Sequence, residues 1–309
     1  MKKVLAILPH SIGGRLTTAS IIDGFKQNNF EVVVFDELQQ NNFADFLNND
    51  YEFIIGYDFS PIKLKIDYDL NYPCVAYFSD VIEEKTSGIG YKEYNKYLKN
   101  PDIHVFYWDR ELSKNTKFIY QPHFVNTEIY KNYLEPVSDI TFMGRLDTDL
   151  RLNMFIELNK LLPQYKFRYF GIKKHFDDAM SRLNNEDKKI LENSYCGFID
   201  NEKDMAQVIN EAKIIYNINA QGISSLNYRT IQTLACERLI ISDKREELDL
   251  FNNIIPIYEN IEDLAGKIDY YLKNQEDYLK ITTSCRKIIE EKLDSKVCVK
   301  DMLLKIQGE

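Results

Sequence analysis

The chain has 309 residues, of which 44% are hydrophobic and 28% charged, and its formal net charge is −9. This balance is typical of a globular protein with room for two α/β domains, and it argues against long disordered stretches. The acidic charge argues against a general nucleic-acid surface, and no apolar run approaches the length that spans a bilayer. Five scattered cysteines without a CxxC pair argue against a zinc site or a disulfide framework. We therefore expect a cytoplasmic location, which includes the inner face of a membrane, and leave the oligomeric state open.

The first half of the chain alternates short apolar strands with amphipathic segments. The basic and then apolar start stops at Pro9, too early for an export signal, and indicates a first buried strand. A helix is predicted over residues 16–28, where apolar residues recur at helical spacing. Consecutive apolar positions predict buried parallel strands at residues 3–8, 31–35, 53–56, 73–78, 103–107 and 117–120.

A glycine pair follows the first strand, in the segment that runs from Pro9 through His10 to Gly13, Gly14 and Arg15. Glycines let a backbone turn tightly and approach a ligand closely, and free amides at a helix start favour an anion. The alternative is a plain strand-to-helix turn that needs positive φ. The segment is not GxGxxG, so a dinucleotide site is not favoured.

The strand and helix pattern then restarts, which predicts a second doubly wound domain. The boundary is expected near a linker-like Glu135-Pro136, with domains at residues 1–135 and 136–309 and the last helix packing back on the first domain. Strands are predicted at residues 139–143, 167–170, 213–218 and 238–242. Helices are predicted at residues 149–162, 177–192 and 227–235 and over most of 261–306.

One strand of this second series ends in Gly144-Arg145, with Arg151 a few residues on. A strand end of this kind can present amides and a guanidinium to a diphosphate. The next residues, Asp147-Thr148-Asp149, form a DxD that could hold a metal ion. Because they stand at a predicted helix start, where Asp is a common cap, helix capping is the favoured interpretation.

A third segment carries the most specific pattern. Asn217 and Asn219 stand at alternate strand positions, and a loop with Ser224 and Ser225 leads to a helix predicted to begin near Ser225 or Asn227. The N-terminus of this helix would offer amides and positive potential to phosphates. Ser225, Arg229 and Gln232 would share one helix face.

At this segment the chain resembles the glycosyltransferase group 1 family, in the branch that includes the spore-maturation CgeB-like proteins. The resemblance runs in order from about Ser138 to Leu293 and is most specific around the helix and the apolar strand after it. It implies the GT-B fold, in which two Rossmann-like domains with parallel sheets face each other across a cleft. The matching residues are Asn227, Arg229, Ile231, Gln232, Ala235 and Cys236, followed by Leu239, Ile240, Ile241, Ser242 and Asp243.

The resemblance also implies the reaction, which moves a sugar from a nucleotide-sugar donor, with UDP-sugar favoured, to a hydroxyl acceptor. No cofactor or divalent metal is expected, and the acceptor is a glycan, a lipid-linked glycan, a protein or a modified base. His10 is the favoured general base, Asp80 and Asp109 are rivals, and Arg229 or Arg145 would stabilise the leaving diphosphate. The candidate donor-binding residues are Gly13, Gly14, Arg15, Gly144, Arg145, Asn217, Asn219, Ser224, Ser225, Asn227, Arg229, Thr230 and Gln232.

Two departures from the family pattern keep other functions open. Gln232 stands where the family usually has a glutamate that bonds the donor ribose, and Glu237 stands where it usually has glycine. A non-catalytic nucleotide-sugar-binding protein is one alternative, and a nucleotide-sugar epimerase of the same fold is another. A periplasmic-type ligand binder is disfavoured by the missing export signal.

Overall fold

The computed structural model describes residues 1–39, 42–47, 50–79, 97–114, 116–218 and 224–308. The chain divides into two compact units. The first comprises Met1–Asn126, Gln221–Leu226 and Glu291–Glu309, and the second comprises Thr127–Ala220 and Asn227–Glu290. The chain thus leaves the first unit before the predicted boundary at residue 135. No helix in the described ranges is both long and apolar enough to cross a membrane.

The ten strands in the described residues form two parallel sheets, which confirms the predicted α/β class. The sheet of the first unit has the strand order β2-β1-β3-β4-β5-β6, and that of the second has the order β10-β9-β7-β8. The strands are β1 (Lys3–Leu8), β2 (Glu31–Asp36), β3 (Phe53–Tyr57), β4 (Cys74–Phe78), β5 (Ile103–Tyr107), β6 (Ile119–Tyr120), β7 (Ser138–Met143), β8 (Phe167–Phe170), β9 (Ala212–Tyr216) and β10 (Leu239–Ile241).

Helices connect these strands, as parallel pairing requires. Short 3₁₀ segments occupy Phe43–Phe46 and Glu246–Phe251. The α-helices in the described residues are α1 (Ile12–Gln27), α2 (Ser60–Asp67), α3 (Arg110–Lys114), α4 (Asp149–Leu161), α5 (Lys173–Arg182), α6 (Asn185–Ser194), α7 (Glu202–Asn210), α8 (Tyr228–Ala235), α9 (Ile261–Lys273), α10 (Gln275–Lys292) and α11 (Ser295–Gln307).

The prediction of a single charged helix over residues 177–192 is wrong, because the structure has two helices there, α5 and α6. Asn184 begins the second of them, and its side-chain oxygen accepts hydrogen bonds from the amides of Glu186 and Asp187 at 2.9 and 3.0 Å. An asparagine cap of this kind starts a new helix even where the charged sequence on both sides favours one continuous helix.

In the first unit the final helix packs on α1, and Gly24 makes their close approach feasible. A Cβ at Gly24 would lie 2.4 Å from the carbonyl oxygen of Ser295 and 2.4 Å from Cγ2 of Val299. The Asn28 amide group donates to the carbonyl of Lys296 at 2.9 Å. The end of the chain therefore completes the core of the unit that contains its start.

In the second unit α8 ends in a Schellman motif centred on Glu237. The amide of Glu237 donates to the carbonyl of Leu234, and the amide of Arg238 donates to that of Thr233, both at 3.1 Å. Glu237 has φ +53, a left-handed conformation that strains any residue with a Cβ. This geometry explains why the resembled family favours glycine at the position.

Replacing Glu237 with glycine should stabilise the second unit. Glycine adopts the left-handed conformation without a Cβ clash, so we expect Glu237→Gly to raise the free energy of unfolding by about 1 kcal/mol. A thermal melt should show a rise of about 2–4 °C. Glu237→Ala is the matched control, because it removes the carboxylate and keeps the strained Cβ. An equal rise for both variants would assign the effect to charge at the helix end and contradict this explanation.

His123 is buried in the first unit beside the sole tryptophan of the chain. It is 4% exposed, its Nδ1 lies 3.2 Å from the Tyr77 hydroxyl, and its ring stacks on Trp108 with the ring centres 5.2 Å apart. Burial lowers the pKa of His123 to about 3. The imidazole is therefore neutral in the folded protein across the physiological pH range.

This burial predicts an acid sensitivity that His123→Gln should reduce. The unfolded chain takes up the proton near pH 6.5 while the folded chain resists it, so stability falls as pH drops from about 6.5 towards 3. Between pH 7 and 5 the native chain should lose about 2 kcal/mol more than the variant. Urea unfolding followed by Trp108 fluorescence measures this difference. His10→Gln, at an exposed histidine, is the control, and equal pH slopes for the native chain and His123→Gln would refute the assignment.

Candidate functional site

The carboxyl end of β7 is shaped by a glycine. Gly144 follows the strand with φ +155, and its amide donates to the carbonyl of Phe170 at 2.9 Å. A Cβ built on Gly144 would lie 3.4 Å from Nη1 of Arg229. A Cβ there would make ordinary van der Waals contact with that guanidinium, so the φ of Gly144, and not a lack of space, favours glycine at the end of the strand.

Arg229, the second residue of α8, supplies that guanidinium. Its Nη1 donates to the carbonyl of Met143, while its Nε is buried without a hydrogen-bond partner. Burial, and next the positive charge of Arg151, lower the pKa of Arg229 to about 10. In the described ranges no carboxylate forms an ion pair with Arg229, so no carboxylate among those residues compensates its charge.

Two further arginines lie nearby on the loop and helix that follow β7. Arg151 is 13% exposed, and its Nη2 donates to the carbonyl of Ile218 at 3.2 Å. Its Nε is also buried without a partner, and burial, opposed by the Asp147 charge and aided by the Arg145 charge, lowers its pKa. Arg145 is half exposed, and its Nε lies 3.3 Å from the carboxylate of Asp147.

We call Arg145, Arg151 and Arg229 the arginine cluster. Asp147 is the acidic group that pairs with two of its members. Guanidinium groups repel one another at short range, and partial burial strengthens that repulsion because water screens it less. A cluster of this composition is stabilised by an incoming anion, and planar guanidinium groups suit phosphate oxygens.

A cleft of about 110 Å³ opens beside Gly144, and its lining residues differ in chemistry. Arg145 and Arg229 supply the cationic groups of the lining. Most of the rest is apolar and includes Ile172 and Phe198, which are 38% and 45% exposed. Exposed apolar groups beside cationic groups suit a ligand with an anionic part and a flat, less polar part.

The start of α8 is held by a buried hydrogen-bond network. Asn227 caps the helix, and its side-chain oxygen accepts from the amide of Thr230 at 3.1 Å. The Asn227 side-chain amide donates to Asn217 at 2.7 Å, and Asn217 and Thr230 are 2% and 0% exposed. These three predicted binding residues therefore fix the helix that carries Arg229.

Gln232 also points away from solvent. It is 2% exposed, and its side-chain amide donates to the Tyr130 hydroxyl at 2.7 Å. Because α8 begins at Tyr228, Ser225 precedes the helix, and the prediction that it shares a helical face with Arg229 and Gln232 is wrong.

Ser224 and Ser225 belong to the first unit, where they cap α3. Their hydroxyls accept from the amides of Glu111 and Arg110 at 3.1 and 3.0 Å. Asp109, which is fully buried, accepts from the Ser224 hydroxyl at 3.2 Å and from the amides of Glu111 and Leu112. Both serines and the rival base Asp109 thus build one helix cap.

The remaining candidates of the first unit lie at the carboxyl end of β1. Gly13 and Gly14 lie in the first turn of α1, and neither has a positive φ. The alternative interpretation, a turn that needs positive φ, is therefore wrong for both. A Cβ at Gly14 would lie 2.6 Å from the Tyr57 ring, whereas one at Gly13 would meet nothing within 4 Å.

Arg15 is paired with Asp36 through two hydrogen bonds of 2.9 and 2.8 Å. This pairing lowers the pKa of Asp36, and the Arg15 charge is compensated within the protein. His10 is exposed, with its Nε2 3.9 Å from the Glu37 carboxylate. Two other candidates, Asp80 and Asn219, lie outside the described residues.

The DxD segment begins α4, as the capping interpretation expects, but the cap is its threonine. The Thr148 hydroxyl accepts from the amide of Arg151 at 3.3 Å. Asp147 pairs with the arginine cluster, and the exposed Asp149 pairs with Arg182 at 2.9 Å. In the part of the chain that the structure describes, no three His, Cys, Asp or Glu side chains are grouped to hold a metal ion.

The sequence patterns missed several residues of this site. No sequence pattern assigns a role to Phe198, Ile172 or Tyr130. The sequence predicted Asp147 as a metal ligand or a helix cap. Its pairing with Arg145 and Arg151 depends on the folded chain. The sequence pattern that did indicate the site was the Gly144-Arg145 pair after a predicted strand, because it identified the correct strand end.

Comparison with known proteins agrees with this architecture. Residues 151–303 match the family described as Glycosyl transferase-like. Among solved structures, sucrose-phosphate synthase from Thermosynechococcus elongatus has a TM-score of 0.70 at 10% identity, covering 100% of this chain and 99% of that chain. A glycosyltransferase from Rickettsia africae has a TM-score of 0.67 at 16% identity, covering 99% and 98%. Anabaena HepE in complex with UDP has a TM-score of 0.64 at 13% identity, covering 100% of both chains.

A search of curated proteins gives no match. The two parallel sheets and the structural neighbours define the GT-B fold, which confirms the predicted architecture. The family match covers residues 151–303, a stretch that contains Arg151 and Arg229 of the arginine cluster. The chain is thus an enzyme of the glycosyltransferase class, as the resemblance implied.

Proposed function

We propose that this enzyme transfers a sugar from a UDP-sugar donor to a hydroxyl acceptor, and that its second unit binds the donor diphosphate. The observation that carries the proposal is the arginine cluster at the carboxyl end of β7. Two of its members have a buried Nε without a partner, at Arg151 and Arg229. Ligands of parallel α/β sheets bind at this edge, beyond the carboxyl ends of the strands.

The chemistry of transfer accounts for the cluster. As the bond between the sugar and the diphosphate breaks, negative charge grows on the leaving phosphate, and positioned guanidinium groups stabilise it. The Asn227 cap fixes the helix that carries Arg229, which supports this role for its guanidinium. We propose that these groups supply the stabilisation without a divalent metal.

The apolar residues that line the cleft support a nucleoside donor. The exposed ring of Phe198 offers a face on which a base can stack, and Ile172 extends that surface. Uridine is favoured because neighbours of the same fold were solved with UDP or UDP-glucose. The pattern of α8 further favours the CgeB-like branch of the glycosyltransferases.

We propose that His10 is the general base that takes the proton from the acceptor hydroxyl. It lies at the carboxyl end of β1 and is exposed, and the Glu37 carboxylate 3.9 Å away would stabilise the imidazolium that forms. The acceptor class stays open among a glycan, a lipid-linked glycan, a protein and a modified base. One neighbour, an α-glucosyltransferase, was solved with UDP and DNA containing an HMU base.

Replacing Arg229 with alanine should weaken binding of UDP. Losing hydrogen bonds from a charged group to phosphate costs about 1.5–3 kcal/mol, which corresponds to a Kd that rises about tenfold to a hundredfold. Isothermal titration with UDP measures the change, and turnover of a UDP-sugar should fall at least as much.

Arg168→Ala is the matched control, since Arg168 pairs with Glu211 at 2.6 Å and does not line the cleft. A thermal melt of each variant shows whether it is folded. If folded Arg229→Ala bound UDP as tightly as the native chain, the proposed diphosphate site would be wrong.

Gln232 is the observation that favours a second candidate, a member of this enzyme class that keeps nucleotide-sugar binding and has lost catalysis. The position that bonds the donor ribose in the resembled family is buried here and donates to Tyr130. Incubation with radiolabelled UDP-sugar separates the candidates. Transfer or slow hydrolysis supports the enzyme, a changed sugar on UDP indicates an epimerase, and binding without turnover indicates the non-catalytic protein.

A further inference from the structure

Asp147 occupies an unusual position within the arginine cluster. Its Oδ2 lies 3.3 Å from Nε of Arg145, and its Oδ1 lies 3.5 Å from Nη1 of Arg151. The side chain is 27% exposed. Both distances are long for charge-assisted hydrogen bonds, so the carboxylate is held by attraction more than by well-formed bonds.

The charges around Asp147 do not balance. Three guanidinium groups share the end of β7, and Asp147 contributes one negative charge between two of them. The neighbouring carboxylate, Asp149, is 86% exposed and pairs with Arg182 instead. A nucleoside diphosphate carries more negative charge than one carboxylate and has oxygens that suit guanidinium forks, so it competes well for the same donors.

We infer that Asp147 is a placeholder anion, which pairs with Arg145 and Arg151 while the donor site is empty and yields them to the diphosphate when the donor binds. The inference rests on the proposed diphosphate site. Asp147 is then a positioning residue that acts through the arginines, and it makes no contact with the sugar.

The role has a kinetic consequence. A carboxylate that competes for the arginines weakens binding of every diphosphate, including the nucleoside diphosphate product that remains after transfer. Product release limits turnover in many enzymes that close around their substrates. Asp147 therefore favours release of the product at the expense of affinity.

The DxD spacing suggests a competing role for Asp147 as a metal ligand, and the two roles predict opposite results. A placeholder lowers affinity for a diphosphate, so neutralising it tightens binding with or without Mg²⁺. A metal ligand raises affinity through the bound cation, so neutralising it weakens binding and only where Mg²⁺ is present.

The experiment is isothermal titration of inorganic pyrophosphate and of UDP into the native chain, Asp147→Asn and the control Asp149→Asn. It is run at low ionic strength, once with EDTA and once with Mg²⁺. An ion pair at this exposure is worth up to about 1 kcal/mol, which is about fivefold in affinity, so Asp147→Asn should bind both probes about two- to fivefold tighter in either buffer. Asp149→Asn should bind them as the native chain does, and Asp147→Glu should restore native affinity.

Unchanged or weaker binding by folded Asp147→Asn would overturn the inference, and weakening confined to Mg²⁺ would assign a metal ligand instead. A gain of affinity is a result that local damage to the loop does not produce. If the native chain bound neither probe, or if Arg229→Ala left binding unchanged, the proposed diphosphate site itself would fall. If instead the native chain binds both probes and Asp147→Asn binds them no more tightly, only the inference about Asp147 is contradicted.

Discussion

Repulsion among three guanidinium groups at one strand end is the constraint on which the second unit's site depends. The guanidinium of Arg229 donates to the carbonyl of Met143, and Arg151 is close enough to lower the pKa of Arg229. A protein that needed only stability would place carboxylates beside such groups or replace them with apolar residues. Here one carboxylate, Asp147, faces three guanidinium groups, so net positive charge remains and suits the cluster to an anionic ligand.

The surrounding structure holds this repulsive arrangement in place. Asn227, Asn217 and Thr230 form a buried network at the start of α8, so the helix cannot rotate Arg229 away without breaking hydrogen bonds. At the other end of the same helix, the left-handed Glu237 closes a Schellman motif. Polar residues that the sequence predicted as ligand contacts therefore position Arg229, the residue that we propose binds the diphosphate.

How far the sequence predicted this arrangement depended on the range of the interactions involved. Consecutive apolar residues predicted the buried strands, with residues 3–8 matching the observed strand, because burial on both faces is a local property. The Gly144-Arg145 pair indicated the cleft because it directly follows a predicted strand, which is also a local pattern. The Ser224 contact with Asp109 joins residues 115 positions apart, and the pairing of Arg15 with Asp36 joins different elements. Such contacts are set by the folded chain and leave no periodic signal.

A crystal structure of the chain with UDP tests the central claim most directly. The account predicts phosphate oxygens about 3 Å from the guanidinium groups of Arg229 and Arg151, and uracil against the ring of Phe198. Asp147 should have moved out of contact with Arg151. Diphosphate density elsewhere in the chain, with the arginine cluster unchanged, would contradict it.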